Sequence, residues 1–269
     1  MKSKVYNFIL IFLFVSLMSG CAMVRFPAKL SPGEASKDHE VLIVPMKAPP
    51  ILIQAWGPGT VLLFGPLGAM AADEASKEDR SKIAEELNKT IGDWKPEHIL
   101  ANECLSLIKQ SSLIPIKNVT IANTRELPGA KSLREEEPAV FTAKRGGFGT
   151  TLQGKWMDAA AKWQRTKSNI PYKQDYPKNK SDWALEAGFV YISLEKAEKI
   201  ELGIMLRFVY TNSREKVAAG AAWDRFKITP IKEISKIEDF QEDFHASVKK
   251  LCIKTLIDMG LISMKNNES

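Results

Sequence analysis

A regular alternation between Ile200 and Thr211 constrains the fold more than any other feature of the sequence. Apolar residues occupy every second position from Ile200 to Tyr210, and the positions between them carry Glu201, Gly203, Met205, Arg207, Val209 and Thr211. Successive side chains of a β-strand point to opposite faces, so this pattern predicts a strand with one face toward a core.

Two further strands are predicted beside it. The run FVYISL within Ala184–Leu194 is typical of a strand, and a third strand begins at Val217 after the turn residues Thr211–Arg214. This third strand continues through Ala219, Ala221 and Trp223. The small residues 218–222 indicate that another element packs closely over it.

Helices complete the pattern. After Pro96, apolar residues recur at helical spacing, at Ile99, Leu100, Cys104, Leu107 and Ile108. A closing helix is predicted from Phe240 to about Met259, an earlier one between Ala71 and Gly92, and a strand between Leu113 and Ala122. The predicted fold class is therefore α+β: a mixed sheet with a C-terminal antiparallel three-strand meander and helices packed on one face.

Residues 48–72 carry no charge and include the run ILIQAWGPGTVLLFGPLGAMAA. The run is long enough to cross a bilayer, but its Pro and Gly residues interrupt any continuous helix. Two Gly-Pro pairs predict turns between short strands, at Ile51–Ala55 and Val61–Phe64. Three interpretations stay open: a strand and loop of the core, a displayed hairpin that contacts a membrane or another subunit, and a transmembrane helix.

Residues 123–181 lack this order and are interpreted as an irregular insertion, where a partner site is expected. Within it, Gly149 to Lys155 matches seven positions of a phosphate-binding loop, but Trp156 stands where a Ser or Thr hydroxyl would bind magnesium. The segment is therefore interpreted as a basic loop leading into a helix. One side of that helix is predicted to pack on the body of the domain through Trp156, Ala159, Ala160 and Trp163.

The first 21 residues have the layout of an export signal. Lys2 and Lys4 precede the apolar run Phe8–Val15, which is short for a bilayer span. The run is followed by Leu17-Met18-Ser19-Gly20-Cys21, which resembles the lipobox of bacterial lipoproteins. That resemblance implies cleavage between Gly20 and Cys21 and a lipid on the Cys21 thiol. An ordinary export signal that happens to contain a cysteine is the alternative.

The same resemblance indicates where the protein is anchored. Ala22 follows the cysteine in place of the Asp that signals inner-membrane retention, so the resemblance implies the outer membrane, with the protein facing the periplasm. The predicted organisation is a signal peptide at 1–20, a flexible tether at 21–39, a single α+β domain at 40–262 and a polar tail at 263–269. The net charge of +6 comes mostly from lysines that are interspersed with acidic residues. This pattern indicates a solvated surface and not a nucleic-acid groove.

The order of elements over residues 97–122 and 182–260 resembles the small α/β domain of periplasmic lipoproteins of the CsgG and TolB N-terminal kind. This resemblance implies a role in envelope assembly, export or scaffolding. It supplies no catalytic residue.

No local motif indicates catalysis. His39, His98 and His245 each stand alone in their stretch of sequence, and neither zinc-type nor hydrolase motifs occur. The sequence therefore predicts a non-catalytic scaffold or partner-binding protein of the envelope, without cofactor or metal, in which self-association stays open. The alternatives are a pore or secretion-apparatus subunit that uses residues 48–72, and a cell-wall-acting enzyme with distant carboxylates.

Cys104 and Cys252 remain as a pair once Cys21 is lipidated, in a compartment that permits disulfides. Each lies on the apolar stripe of its own predicted helix. If both helices cover the same face of the sheet, the two could form a disulfide. Two reduced, buried thiols are the alternative.

Overall fold

The computed structural model describes residues 29–35, 38–54, 82, 85, 87, 94–127, 130, 140–142, 152–168, 170, 172, 181–195, 199–228 and 237–263. In chain order, the elements of these residues are α1 (Pro32–Ala35), β1 (His39–Pro45), β2 (Ile51–Gln54), α2 (Pro96–Ser111), β3 (Ile116–Ile121), β4 (Val140–Thr142), α3 (Leu152–Arg165), β5 (Trp183–Glu195), β6 (Lys199–Tyr210), β7 (Lys216–Lys227) and α4 (Ile237–Asp258).

β5 is the centre of a seven-stranded mixed sheet. One side of β5 pairs antiparallel with β6 along its full length, and the other side pairs parallel with β1 and then with β2. β3 pairs parallel with β1, and β4 pairs parallel with β2. At the opposite edge of the sheet, β7 pairs antiparallel with β6. The predicted α+β class, with a mixed sheet and an antiparallel C-terminal meander, is confirmed.

The first face of the sheet is covered by α2 and α4. Alternate residues of the central strands are buried there, among them Val41, Ile43, Leu185, Phe189, Ile204, Leu206 and Phe208. The helices contribute the apolar stripes that the sequence predicts, including Leu100, Cys104, Phe244, Val248, Leu251 and Cys252. This is the larger of the two cores, and we call it the first core.

The second face of the sheet is buried where α3 packs on it. The α3 residues Trp156, Ala159, Ala160 and Trp163 form this second core with Leu42 and Val44 of β1, with Met46 directly after β1, and with Met205 and Val209 of β6. The predicted packing side of α3 is confirmed. Helices were expected on one face of the sheet only. This holds for α2 and α4, whereas α3 lies on the opposite face. The physical reason lies in β1, whose continuous run VLIV buries both sides of the strand.

α4 approaches β7 most closely at Gly220. A Cβ atom at this position would lie 2.8 Å from the Thr255 Cγ2 atom and 2.8 Å from the Met259 Cγ atom. Real Cβ atoms do not pack this closely, so the absence of a side chain allows the helix to reach the strand. The close packing predicted over residues 218–222 is confirmed.

The first part of the uncharged segment belongs to the first core. Ile51 and Ile53 of β2 are buried, and β2 lies between β4 and β5. The strand predicted at Ile51–Ala55 is thus found at Ile51–Gln54, whereas the strand predicted at Val61–Phe64 and the remainder of 55–72 lie outside the described residues. None of the helices described here combines the length and the apolar character needed to span a membrane.

Two segments that were predicted to be irregular or flexible contain regular structure or pack on the core. The predicted insertion at 123–181 includes β4 and α3. Leu30, within the predicted tether, packs against the first core, and its backbone N–H donates to the Met259 carbonyl oxygen at 3.1 Å. Of the helix predicted between Ala71 and Gly92, the described residues Lys82, Glu85 and Leu87 are helical.

Candidate functional site

A buried ion pair lies on the second face of the sheet. Glu186 of β5 and Arg207 of β6 are register partners whose side chains are fully buried, with Arg207 Nε 3.3 Å from Glu186 Oε2. Arg207 Nη2 donates to the Thr166 carbonyl oxygen at 2.9 Å, and the guanidinium carbon lies 5.2 Å from the centroid of the Trp163 ring. The pair therefore joins two central strands to the C-terminal end of α3.

In addition to this ion pair, the Glu186 carboxylate accepts three hydrogen bonds. Trp163 Nε1 donates to Oε2 at 2.8 Å, the Tyr172 hydroxyl donates to Oε1 at 2.5 Å, and the Ser168 hydroxyl also donates to Oε1. Burial, followed by the charge of Glu186, raises the pKa of Tyr172, so its hydroxyl stays protonated. Burial lowers the pKa of Arg207 and the Glu186 charge opposes this, which leaves the guanidinium charged.

This network is closed to solvent. Each of its five side chains is at most 4% exposed: Trp163, Ser168, Tyr172, Glu186 and Arg207. A general acid or base has to reach the proton that it transfers, and this carboxylate is enclosed by its own donors. We therefore assign the network the structural role of holding α3, Thr166, Ser168 and Tyr172 on the sheet.

A second group of polar and aromatic side chains lies on the same face, beyond the part that α3 covers, and is open to solvent. This group, the Trp223 surface, consists of Tyr191, Lys199, Glu201, Trp223, Arg225 and Lys227. Trp223 is 49% exposed. It belongs to β7, which pairs with β6 alone among the described strands. Tryptophan is over-represented among the residues that contribute most to binding at protein interfaces.

The aromatic part of the Trp223 surface is held in a defined frame. The Tyr191 ring lies over Gly203, the register partner of Trp223, where a Cβ atom would be 2.7 Å from Tyr191 Cε1. The Tyr191 hydroxyl donates to Glu201 Oε1 at 3.3 Å, and Arg225 Nη2 lies 3.7 Å from Glu201 Oε2. Burial and the Glu201 charge raise the pKa of Tyr191, so its hydroxyl remains a donor.

The charged part of the Trp223 surface is mainly cationic. Lys199 and Lys227 are both exposed and lie directly opposite each other in the β6–β7 register. Like charges at such positions destabilise a sheet. Together with Arg225, they make three cationic residues against two acidic ones: Glu201, and Glu195, which is opposite Lys199 in the β5–β6 register. The surface therefore suits a ligand that places acidic groups next to an apolar one.

The structure describes some of the residues singled out in the sequence and not others. Leu17–Cys21 lie outside the described residues, so cleavage after Gly20 and lipidation of Cys21 stay predictions. Cys104 and Cys252 are brought together in the first core, as free thiols with their Sγ atoms 3.8 Å apart. Trp156, at the eighth position of the partial phosphate-loop motif, is buried and donates through Nε1 to the Phe189 carbonyl oxygen at 3.3 Å.

The three histidines lie in separate places. His39 stacks on Trp183 with ring centroids 3.6 Å apart, and His98 Nε2 lies 3.0 Å from the Thr124 hydroxyl. His245 Nε2 lies 2.6 Å from the Glu103 carboxylate. Across the described ranges, no three His, Cys, Asp or Glu side chains form a group that could hold a metal ion.

Sequence reasoning did not single out the buried network or the Trp223 surface, although signals for both were present. The alternation in β6 places Glu201, Gly203 and Arg207 on the face opposite its apolar series. A charged residue inside an otherwise buried strand is usually paired, which marks Arg207. The identity of its partner depends on the β5–β6 register, which the sequence does not reveal.

Comparison with known proteins adds little. The chain matches no known protein family and no curated protein. Among solved structures, it is similar to a PelC dodecamer from Paraburkholderia phytofirmans, with a TM-score of 0.33, 10% identity, and coverage of 88% of this chain and 97% of that one. A single-substitution variant of the same dodecamer gives a TM-score of 0.32, 9% identity, and coverage of 88% and 96%. TM-scores of this size do not establish a shared fold.

Proposed function

We propose that this protein is a lipid-anchored lipoprotein of the outer membrane whose periplasmic domain binds a partner protein through the Trp223 surface, without catalysis. The observation that carries the binding role is the half-exposed Trp223 on an edge strand, beside Tyr191 and three cations. The lipobox-like sequence ending in Gly20 and Cys21 supports the anchor. The closed state of the Glu186 network supports a structural role for that network.

The proposed occupant of the Trp223 surface is an extended segment of a partner protein that carries an apolar side chain and acidic ones. The apolar side chain packs on Trp223 and Tyr191. An acidic side chain lies between Lys199 and Lys227 and relieves their mutual repulsion.

Substitution Cys21→Ala tests the anchor. The variant is expected to accumulate as an uncleaved precursor that takes up no radioactive palmitate, because the thiol that receives the lipid is gone. The wild-type chain is expected to be labelled and to fractionate with the outer membrane. Labelling of the variant, or release of the wild type as a free periplasmic protein, contradicts the anchor.

Substitution Trp223→Ala tests the binding surface. We expect a change of less than about 1 kcal/mol in the free energy of unfolding, because the side chain is half exposed. Loss of a central interface tryptophan costs about 2 kcal/mol or more, so binding of the partner is expected to weaken by at least about 30-fold. Formaldehyde crosslinking in intact cells measures the complex.

The matched control is Lys249→Ala, an exposed position of α4 on the other side of the molecule. Equal yields of the complex from the two variants contradict the proposed surface. An adduct of twice the mass of this chain that disappears with Trp223→Ala identifies a second copy as the occupant and overturns the acidic partner.

A further inference from the structure

The two cysteines beyond the predicted signal lie together in the interior. Cys104 of α2 and Cys252 of α4 are both 0% exposed, and their Sγ atoms are 3.8 Å apart. Both belong to the first core, so their surroundings are apolar. The packing of α2 on α4 thus places one thiol against the other.

The folded protein protects these thiols from reaction. Burial, followed by the neighbouring Cys104 thiol, raises the pKa of Cys252 well above its ordinary value. The thiolate is the form that attacks a disulfide, so two buried sulfurs without access to solvent, of which Cys252 has a raised pKa, exchange slowly. A bond between the two sulfurs would therefore form while the chain folds, before α2 and α4 close over them.

We infer that Cys104 and Cys252 form a structural disulfide, made during folding by exchange with the disulfide of an oxidising protein or small molecule. The inference rests on the export included in the proposed function, because the cytosol keeps thiols reduced. The bond would link α2 to α4, two helices that are far apart in the sequence.

The exchange proceeds in two steps. The thiolate of one cysteine attacks the disulfide of the oxidant, forms a mixed disulfide and releases the first oxidant thiolate. The thiolate of the other cysteine then attacks the protein sulfur of the mixed disulfide, forms the Sγ–Sγ bond and releases the second oxidant thiolate. The two cysteines lose two electrons to the oxidant, and their two protons end on the oxidant sulfurs.

The expected consequence is a large gain in stability. The bridge joins residues 148 positions apart and ties α2 to α4. The chain-entropy model for a loop of this length gives an equilibrium constant for unfolding that is lower by roughly 5,000-fold. The bridged chain is therefore expected to unfold at a clearly higher urea concentration than the reduced one.

Thiol labelling of the full chain tests the inference. The protein is extracted from envelopes in detergent, denatured in acid and treated with a maleimide before or after reduction, and peptide mass spectrometry locates the label. We expect Cys104 and Cys252 to be unlabelled before reduction and labelled after it. Labelling of both before reduction overturns the disulfide. Cys21 reports separately on the proposed anchor, because a lipidated thiol takes no label under either condition.

Refolding tests when the bond forms. Reduced, denatured protein is expected to lose two hydrogens in mass when it refolds with oxidised glutathione. Protein that has first refolded in reductant should react at least about tenfold more slowly with the same oxidant. Cys252→Ala is the matched control, and its urea midpoint should not respond to oxidant. Equal oxidation rates before and after folding contradict formation during folding.

Discussion

Substitution Glu186→Ala is expected to lower the free energy of unfolding by about 3–5 kcal/mol, since it leaves Arg207 as an unpaired buried cation. It also leaves the Trp163, Ser168 and Tyr172 donors without their acceptor. In a domain of this size, such a loss lowers the melting temperature by about 10 °C. Urea unfolding followed by circular dichroism measures the effect, and the slope of the transition should not change.

The exposed pair Lys167–Glu215 provides a matched control. Its Nζ–Oε1 distance of 2.8 Å is shorter than the closest contact of the buried pair, but its side chains are 70% and 56% exposed. Solvent screens such a pair, so Glu215→Ala is expected to change stability far less than Glu186→Ala does. Similar losses for Glu186→Ala and Glu215→Ala would contradict the structural role of the buried network.

Substitution Ile53→Asp is expected to destabilise the domain by more than about 4 kcal/mol. Ile53 is 0% exposed and pairs with Thr142 of β4 and Leu194 of β5. A carboxylate at this position would be buried without a cationic or hydrogen-bonding partner in the first core. The expected result is a chain that is degraded or found in aggregates when it is expressed at 37 °C.

Leu113→Asp is the corresponding control, because Leu113 is 55% exposed and a carboxylate there stays in water. Its effect on the unfolding free energy is expected to be within about 0.5 kcal/mol. A melting temperature that Ile53→Asp leaves unchanged would show that β2 is displayed in solution. That result would favour the hairpin interpretation of the uncharged segment.

The sequence predicts the C-terminal half of the fold well because its signals are local and periodic. The alternation from Ile200 to Tyr210 and the helical stripe from Phe240 to Met259 each define an element and its buried side. β1 was not predicted, although its run VLIV is apolar throughout. A strand buried on both faces has no alternation, and only the presence of α3 on the second face explains its pattern.

The candidate sites depend on pairing between distant segments, and this limits what the sequence can show. The Trp223 surface requires the β6–β7 register, which sets Lys199 opposite Lys227 and Gly203 opposite Trp223. The buried network requires α3 to cross the sheet near Glu186, 23 residues after Trp163. The sequence does identify Cys104 and Cys252 as a pair on two helical stripes, and the structure brings their sulfurs together.

Position-specific photo-crosslinking in intact cells tests the central claim most directly. A benzophenone amino acid, aromatic and apolar like the side chain it replaces, is placed at Trp223 and, in a second strain, at Lys249. The proposed function predicts an adduct with one other protein from position 223, none from position 249, and loss of the adduct when Lys199→Glu and Lys227→Glu are added. An adduct from position 223 that survives both charge reversals, or the same adduct from both positions, would contradict an acidic partner bound at the Trp223 surface.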